Sequence, residues 1–323
     1  MTKKPFLVDV PVLLVFFTKE KPLKKVFERI REARPSKLYL CQDGPRKDNT
    51  DDKIKIDNCR KIVSDIDWEC EVKYFYQKEN LGCDPNIEKA LNWVFENEEY
   101  MIMLEDDGVV DVTFFAFCKE LFEKYKYDSR IALISSFNLL ETWDCPYDYF
   151  FSNSGTLSGG WGMWKRAWIE RNAKLDYLSD EYTDRIYKYA CANRFEEKMD
   201  RKIIEVQHKK LKDTGKIHSF EIIVGTSRKL NHALTIVPTR NMMSNIGIDA
   251  EAYHSGSNIR HLPSKLQHIF FMKTYSQNFP LSEPPFIIPD KRYCQKIYKI
   301  IGDNNWTIFF RRIEGFVRRK ILR

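Results

Sequence analysis

The chain has 323 residues, 43% hydrophobic and 31% charged, with a formal net charge of +7. That length suits one large α/β domain with appendages or two small domains, and no run approaches the ~20 apolar residues that span a bilayer. Residues 1–9 are too short and broken to be expected as a signal peptide, and the eight scattered cysteines include no CxxC pair, so reduced cytoplasmic thiols are expected instead of a zinc site or a disulfide framework.

Residues 12–17 read as a buried first strand. Pro22 is expected to open a helix, with Leu23, Val26, Phe27 and Ile30 on one face. A short strand at 38–41 ends in Gln42-Asp43-Gly44-Pro45, a turn signal. Asp43 is either a turn residue or a site residue. A helix at 54–64 and a strand at 71–76 follow, then Asn80-Leu81-Gly82-Cys83-Asp84-Pro85. Asp84 is expected as an N-cap and Pro85 as the first helical residue. Ile87, Ala90, Leu91, Val94 and Phe95 form the apolar face of that helix.

The next strand, Tyr100-Met101-Ile102-Met103-Leu104, runs straight into Glu105-Asp106-Asp107-Gly108. Adjacent carboxylates repel one another unless a cation stands near. The triplet is either a solvated loop or a metal site. In open α/β sheets ligands gather at the carboxyl ends of strands. A helix bearing Phe114, Phe115, Cys118, Leu121 and Phe122 then leads to a strand at 131–135. This β-α alternation predicts a mostly parallel sheet with helices on both faces. Neither a Walker A pattern nor GxGxxG occurs, so a bound diphosphate would need a metal in place of a glycine-rich helix start.

Residues 137–160 read as loop-rich and aromatic. Trp164 and Trp168 are expected on one helix, and the glycines of Gly160-Trp161-Gly162 suggest close backbone approach to a ligand or another element. Residues 170–216 are expected to be helical with a solvated face. A short strand at 234–237 precedes Ser244-Asn245-Ile246-Gly247 and His254-Ser255. The tail from 305 mixes Trp306, Phe309, Phe310 and Phe316 with Arg311, Arg312, Arg318, Arg319 and Lys320. It is either an amphipathic helix on an anionic membrane surface or a docked helix with a solvated basic face.

In this order, Gln42-Asp43-Gly44, Asn80-Leu81-Gly82, Leu104-Glu105-Asp106-Asp107, Gly160-Trp161-Gly162 and Ser244-Asn245-Ile246-Gly247 resemble the bacterial nucleotide-diphospho-sugar transferases of the GT-A fold. These are relatives of the N-acetylglucosaminyltransferase I type. The resemblance covers about residues 10–260 and implies a Rossmann-like catalytic domain over 1–265, with a C-terminal extension over 266–323. It implies an inverting, metal-dependent glycosyltransferase using a UDP-linked nucleotide sugar to build a bacterial surface glycan on a glycan or lipid-linked acceptor. Nucleic acid is not an expected partner.

The same resemblance implies roles. Asp107 would bind Mn²⁺ or Mg²⁺ bridging the donor diphosphate, with Asp106 and Glu105 facing the ribose or supporting the metal shell. Asp43 would recognise the uracil edge. Lys19 stands where relatives carry an arginine near the nucleotide. Trp161 would shield the donor, and Ser244, His254 and Ser255 would close over the diphosphate. Glu221 stands at the position of the catalytic base, where Phe220-Glu221 replaces a Trp-Asp pair. Two competitors are a sugar-1-phosphate nucleotidyltransferase and a non-catalytic nucleotide-sugar-binding protein. The first lacks its glycine-rich loop here, since Phe16-Phe17-Thr18-Lys19-Glu20 holds no glycine.

Overall fold

The computed structural model describes residues 3–154, 158–191, 193–216, 218–248, 259, 262–301 and 305–321. The chain begins β1 Val8–Phe16, α1 Glu20–Ala33, β2 Pro35–Gln42, α2 Asp52–Val63, β3 Glu71–Tyr76, α3 Cys83–Asn97 and β4 Tyr100–Glu105. It continues through β5 Gly108–Val110, α4 Thr113–Lys124, β6 Ile131–Ser135, β7 Tyr149–Ser152, β8 Gly160–Trp164 and α5 Lys165–Ile169. Then come α6 Glu181–Ile186, α7 Arg194–Thr214, α8 Phe220–Leu230, β9 Leu234–Pro238, β10 Met243–Asn245, α9 Ser264–Gln267, α10 Lys291–Ile301 and α11 Asn305–Ile321.

Eight strands form one sheet in the order β3-β2-β1-β4-β8-β6-β9-β7, and β5 pairs with β10 in a separate antiparallel ribbon. The β1–β2, β1–β4, β2–β3 and β6–β9 pairs are parallel. Only β8 and β7 run against the rest. The expected α/β class with a mostly parallel sheet is therefore the observed one.

The alternation of side chains along β1 builds two cores. Val12, Leu14 and Phe16 pack with Leu23, Val26 and Ile30 of α1, Cys59 and Val63 of α2, and Phe114 and Phe115 of α4. Leu13 points the other way, to Ile87, Leu91 and Val94 of α3 and Phe220 and Val224 of α8. Helices thus cover both faces, as parallel strands require. The strands and helices that carry Lys19, Asp43 and Glu105 end at the same carboxyl edge of β1, β2 and β4.

Three local expectations change. α3 starts at Cys83 with Gly82 as its N-cap, and Asp84 makes no capping bond. Trp164 ends a strand, so it does not share a helix with Trp168 of α5. The stretch expected as loop-rich contains β7, and the glycines expected to approach another element belong to β8, which lies between β4 and β6 at the centre of the sheet. Its glycines serve packing: a Cβ at Gly162 would stand 2.7 Å from the Phe122 ring.

The boundary expected at 265 is not a break in the core. Met272, Leu281, Tyr293 and Ile297 join the first core cluster. The Tyr293 hydroxyl donates to Asn138 Oδ1 at 3.2 Å and accepts the Leu139 N–H at 3.2 Å.

Candidate functional site

The turn after β4 is held from three sides. Glu105 N–H donates to the Gly159 carbonyl at 3.0 Å, and Ile246 N–H donates to the Asp107 carbonyl at 2.9 Å. Ser244 of β10 sits opposite Val109 of β5, and Asn245 opposite Gly108. A Cβ on Gly108 would lie 2.1 Å from the Gly159 backbone oxygen, so only glycine fits there, and one on Gly247 would lie 2.1 Å from Asp107 Oδ2 and displace that carboxylate. The Ser244-to-Gly247 segment therefore does fold against the acids.

Lys19, in the loop after β1, reaches across to them. Its Nζ lies 2.8 Å from Asp107 Oδ2 and 3.6 Å from Asp106 Oδ1. Asp106 Oδ2 also accepts the Phe17 N–H at 3.1 Å. One lysine faces three carboxylates, and the acids respond as crowded, dehydrated groups do. Burial pushes the Glu105 carboxyl well above its ordinary range, helped by repulsion from Asp107, Glu221 and Asp106 and opposed by Lys19. Asp106 is raised by burial too, with Lys19 opposing and Asp107 adding to the rise.

Glu221 comes from the other side of the cleft, in the first turn of α8. Its carboxylate accepts from Ser219 Oγ at 3.1 Å and acts electrostatically on Glu105. Two contacts place it. The Phe220 N–H donates to Asp84 Oδ1 at 3.3 Å, joining the starts of α8 and α3. The Phe220 ring stacks on Trp161 with centroids 6.3 Å apart. Cys83 lies among the same acids. Loss of hydration, then Asp84, Glu105, Glu221 and Asp106, push its thiol up to about 12.

Trp161 itself is not where a donor sugar could stack. It is fully buried, because its strand is central and its ring turns into the second core. Its place in the site is indirect, as the surface that Phe220 rests on.

Asp43 is the tie between two loops. Its Oδ1 accepts the Gly44 and Leu81 N–H groups at 2.9 and 2.8 Å, and its Oδ2 accepts the Gly82 N–H at 2.9 Å. Asn80 Nδ2 returns a bond to the Gly44 carbonyl at 2.9 Å. The motifs Gln42-Asp43-Gly44 and Asn80-Leu81-Gly82 are thus halves of one structure. Burial raises the Asp43 pKa, and the three backbone donors pull it down by less.

Asp84 and Cys83 were read only as helix-start residues, and no local signal places them in the cleft. Asn138 and Asn241 were not singled out at all. Both are buried. Asn138 Nδ2 holds the Pro238 and Thr239 carbonyls at 3.0 and 3.1 Å. Asn241 Nδ2 holds those of Met243 and Lys273 at 2.6 and 2.8 Å. Together they fix the path from β9 to β10. His254 and Ser255 lie outside the described residues.

Fold and site define an α/β protein with a cluster of carboxylates at the carboxyl edge of a mostly parallel sheet. No protein-family profile and no curated protein matches the chain. Among solved structures it is similar to one described as UDP-glucose pyrophosphorylase complexed with UDP-glucose. Identity is 10%, coverage 72% of this chain and 91% of that chain, and the TM-score 0.34.

Proposed function

We propose that the chain is a metal-dependent glycosyltransferase that moves a sugar, with inversion, from a UDP-linked donor to a hydroxyl acceptor. The observation that carries this reading is the meeting of carboxylates from two separate elements. Glu105, Asp106 and Asp107 follow β4, and Glu221 faces them from the start of α8. Lys19 pairs with two of them, Asp106 and Asp107.

The donor set is all carboxylate oxygen, which suits Mg²⁺ or Mn²⁺. Among the described residues no group of three or more His, Cys, Asp or Glu side chains is set to encircle an ion. Asp107 would hold the cation from one side, leaving the rest of its shell to phosphate oxygens and water, the usual pattern for Mg²⁺ with nucleotides. When bound, that cation supplies charge stabilisation to the departing diphosphate. Lys19 Nζ would exchange Asp107 for a phosphate oxygen. Asp43 would keep the 43–44 and 80–82 loops together as the base pocket. Glu221 would take the proton from the acceptor hydroxyl as it attacks the face opposite the leaving group. Ser244 would lie beside the diphosphate, on the ribbon that covers the acids.

Calorimetry with UDP and Mn²⁺ tests the binding half. Affinity should depend on the metal and fall in Asp107→Ala. Turnover of a UDP-sugar to UDP tests the chemistry, and should vanish in Glu221→Gln with binding kept. Full turnover in Glu221→Gln would remove Glu221 as the base. Pyrophosphate release from UTP and a sugar 1-phosphate, without UDP-sugar turnover, would make the chain a nucleotidyltransferase.

A further inference from the structure

The end of the chain carries its charge. Residues 291–323 hold ten basic and two acidic side chains, a net of +8, while residues 1–290 hold 43 basic and 44 acidic, a net of −1. The body is close to neutral and the tail is a concentrated cation.

α11 is docked by its polar side. Gly315 is buried. Glu314 Oε1 accepts the Ser264 N–H at 2.9 Å and pairs with Arg318 Nε at 2.9 Å, and Arg311 Nη2 donates to the Lys299 carbonyl at 3.3 Å. Residues 311, 314, 315 and 318 form one stripe of the helix. The other stripe is Trp306, Phe309, Phe310, Ile313, Phe316 and Val317, again at spacings of three and four. These side chains are 41–70% exposed. An ordinary surface helix turns the other way, burying its apolar stripe. Among the described residues, every exposed Phe or Trp except Phe6 lies beyond residue 270.

We infer that α11 binds an anionic lipid surface, with its aromatic stripe in the headgroup region and the exposed lysines of α10 drawn to the lipid phosphates. Aromatic side chains favour that interface, and basic ones are drawn to it by the negative surface potential. Lys291, Lys296 and Lys299 of α10 are exposed and carry no acidic neighbour within that helix, while Arg292 pairs with Asp290 at 3.0 Å. A second copy of the chain is the poorer occupant, because it would set one tail of net +8 against another. The helix lies on the surface and does not cross it: α11 has 17 residues, five of them basic, and no helix among the described residues is long and apolar enough to cross a membrane.

The test is co-sedimentation of the full chain with vesicles, and it needs no sugar transfer. Vesicles of equal parts phosphatidylglycerol and phosphatidylcholine should carry the protein down, and pure phosphatidylcholine should not. Binding should fall between ~0.1 M and ~1 M salt as the screening length shortens. Phe309→Ser with Phe310→Ser should cut partition by more than about tenfold, with the melting curve unchanged because both rings are exposed. Lys296→Glu with Lys299→Glu should weaken binding to anionic vesicles and serves as the second arm should the aromatic variant misfold. Equal binding to neutral vesicles, or undiminished binding of both variants, overturns the inference. So does a dimer that Phe309→Ser with Phe310→Ser dissolves while vesicles bind nothing.

Discussion

Replacing Asp43 with alanine removes the acceptor for three backbone N–H groups at once, those of Gly44, Leu81 and Gly82. A hydrogen bond to a charged acceptor contributes about 1.5–3 kcal/mol net. Three would contribute at most about 4.5–9 kcal/mol, and the sum is not additive. Against this stands the dehydration of the carboxylate, large enough that the Asp43 pKa is raised despite its three donors. The balance leaves a loss of about 3 kcal/mol for Asp43→Ala, or about 4 °C in Tm. Asparagine keeps one oxygen, which can still serve Gly44 and Leu81, and turns an NH₂ toward Gly82. Asp43→Asn should therefore lose only about 1–2 kcal/mol. Differential scanning calorimetry of both variants, without ligand, is the assay. Asp43→Ala melting within about 1 °C of the parent, or asparagine costing as much as alanine, would refute the loop-tie account.

Gly247→Ala should push the Asp107 carboxylate off Lys19 and weaken UDP–Mn²⁺ binding by more than about tenfold, roughly 1.4 kcal/mol, while Tm barely moves; calorimetry with both ligands reads it. Phe220→Ala should destabilise by about 3–5 kcal/mol, as deletion of a buried ring does, and urea unfolding measures this. Asp52 is held below its ordinary range by hydrogen bonds from Arg46, against the opposing effect of burial. A depressed folded pKa stabilises the fold above the unfolded value and loses that stability as pH falls through the folded one. Urea midpoints should therefore drop between about pH 5 and pH 2, and less steeply in Arg46→Gln.

The half of the fold that was legible is the half whose residues speak locally. The strands at 71–76 and 131–135 coincide with β3 and β6 because each is bounded by polar or turn residues. The helix faces of α1, α3 and α4 follow from apolar spacing alone. β8 was not legible because its partners decide its state. The glycines of Gly160-Trp161-Gly162 signal only a close approach, and the strand forms because β4 and β6 close on either side. The same holds in the site. Asp43, Lys19 and the acids stand at strand ends, where the sequence marks them. Trp161 was misplaced because nothing local says which way a central strand turns its ring. The nearness of Asp84 and Glu221, set by two helix starts far apart in the chain, is a tertiary fact without a local signature.

The hold on the acidic turn also has a timetable. It draws on residues 105–108, on Gly159, and on Ile246 and Gly247, and 140 positions separate Asp107 from Gly247. At ~5–20 residues per second of synthesis, the acids emerge roughly 7–28 s before their last support exists. Through that interval the growing chain has β1 to β4, the three carboxylates and Lys19, but not the Ile246 N–H that holds the Asp107 carbonyl. Nucleotide binding should accordingly be absent from ribosome-held chains that stop short of Gly247, even though the first four strands can already pair. The acidic turn is thus completed only when the 244–247 segment has been made.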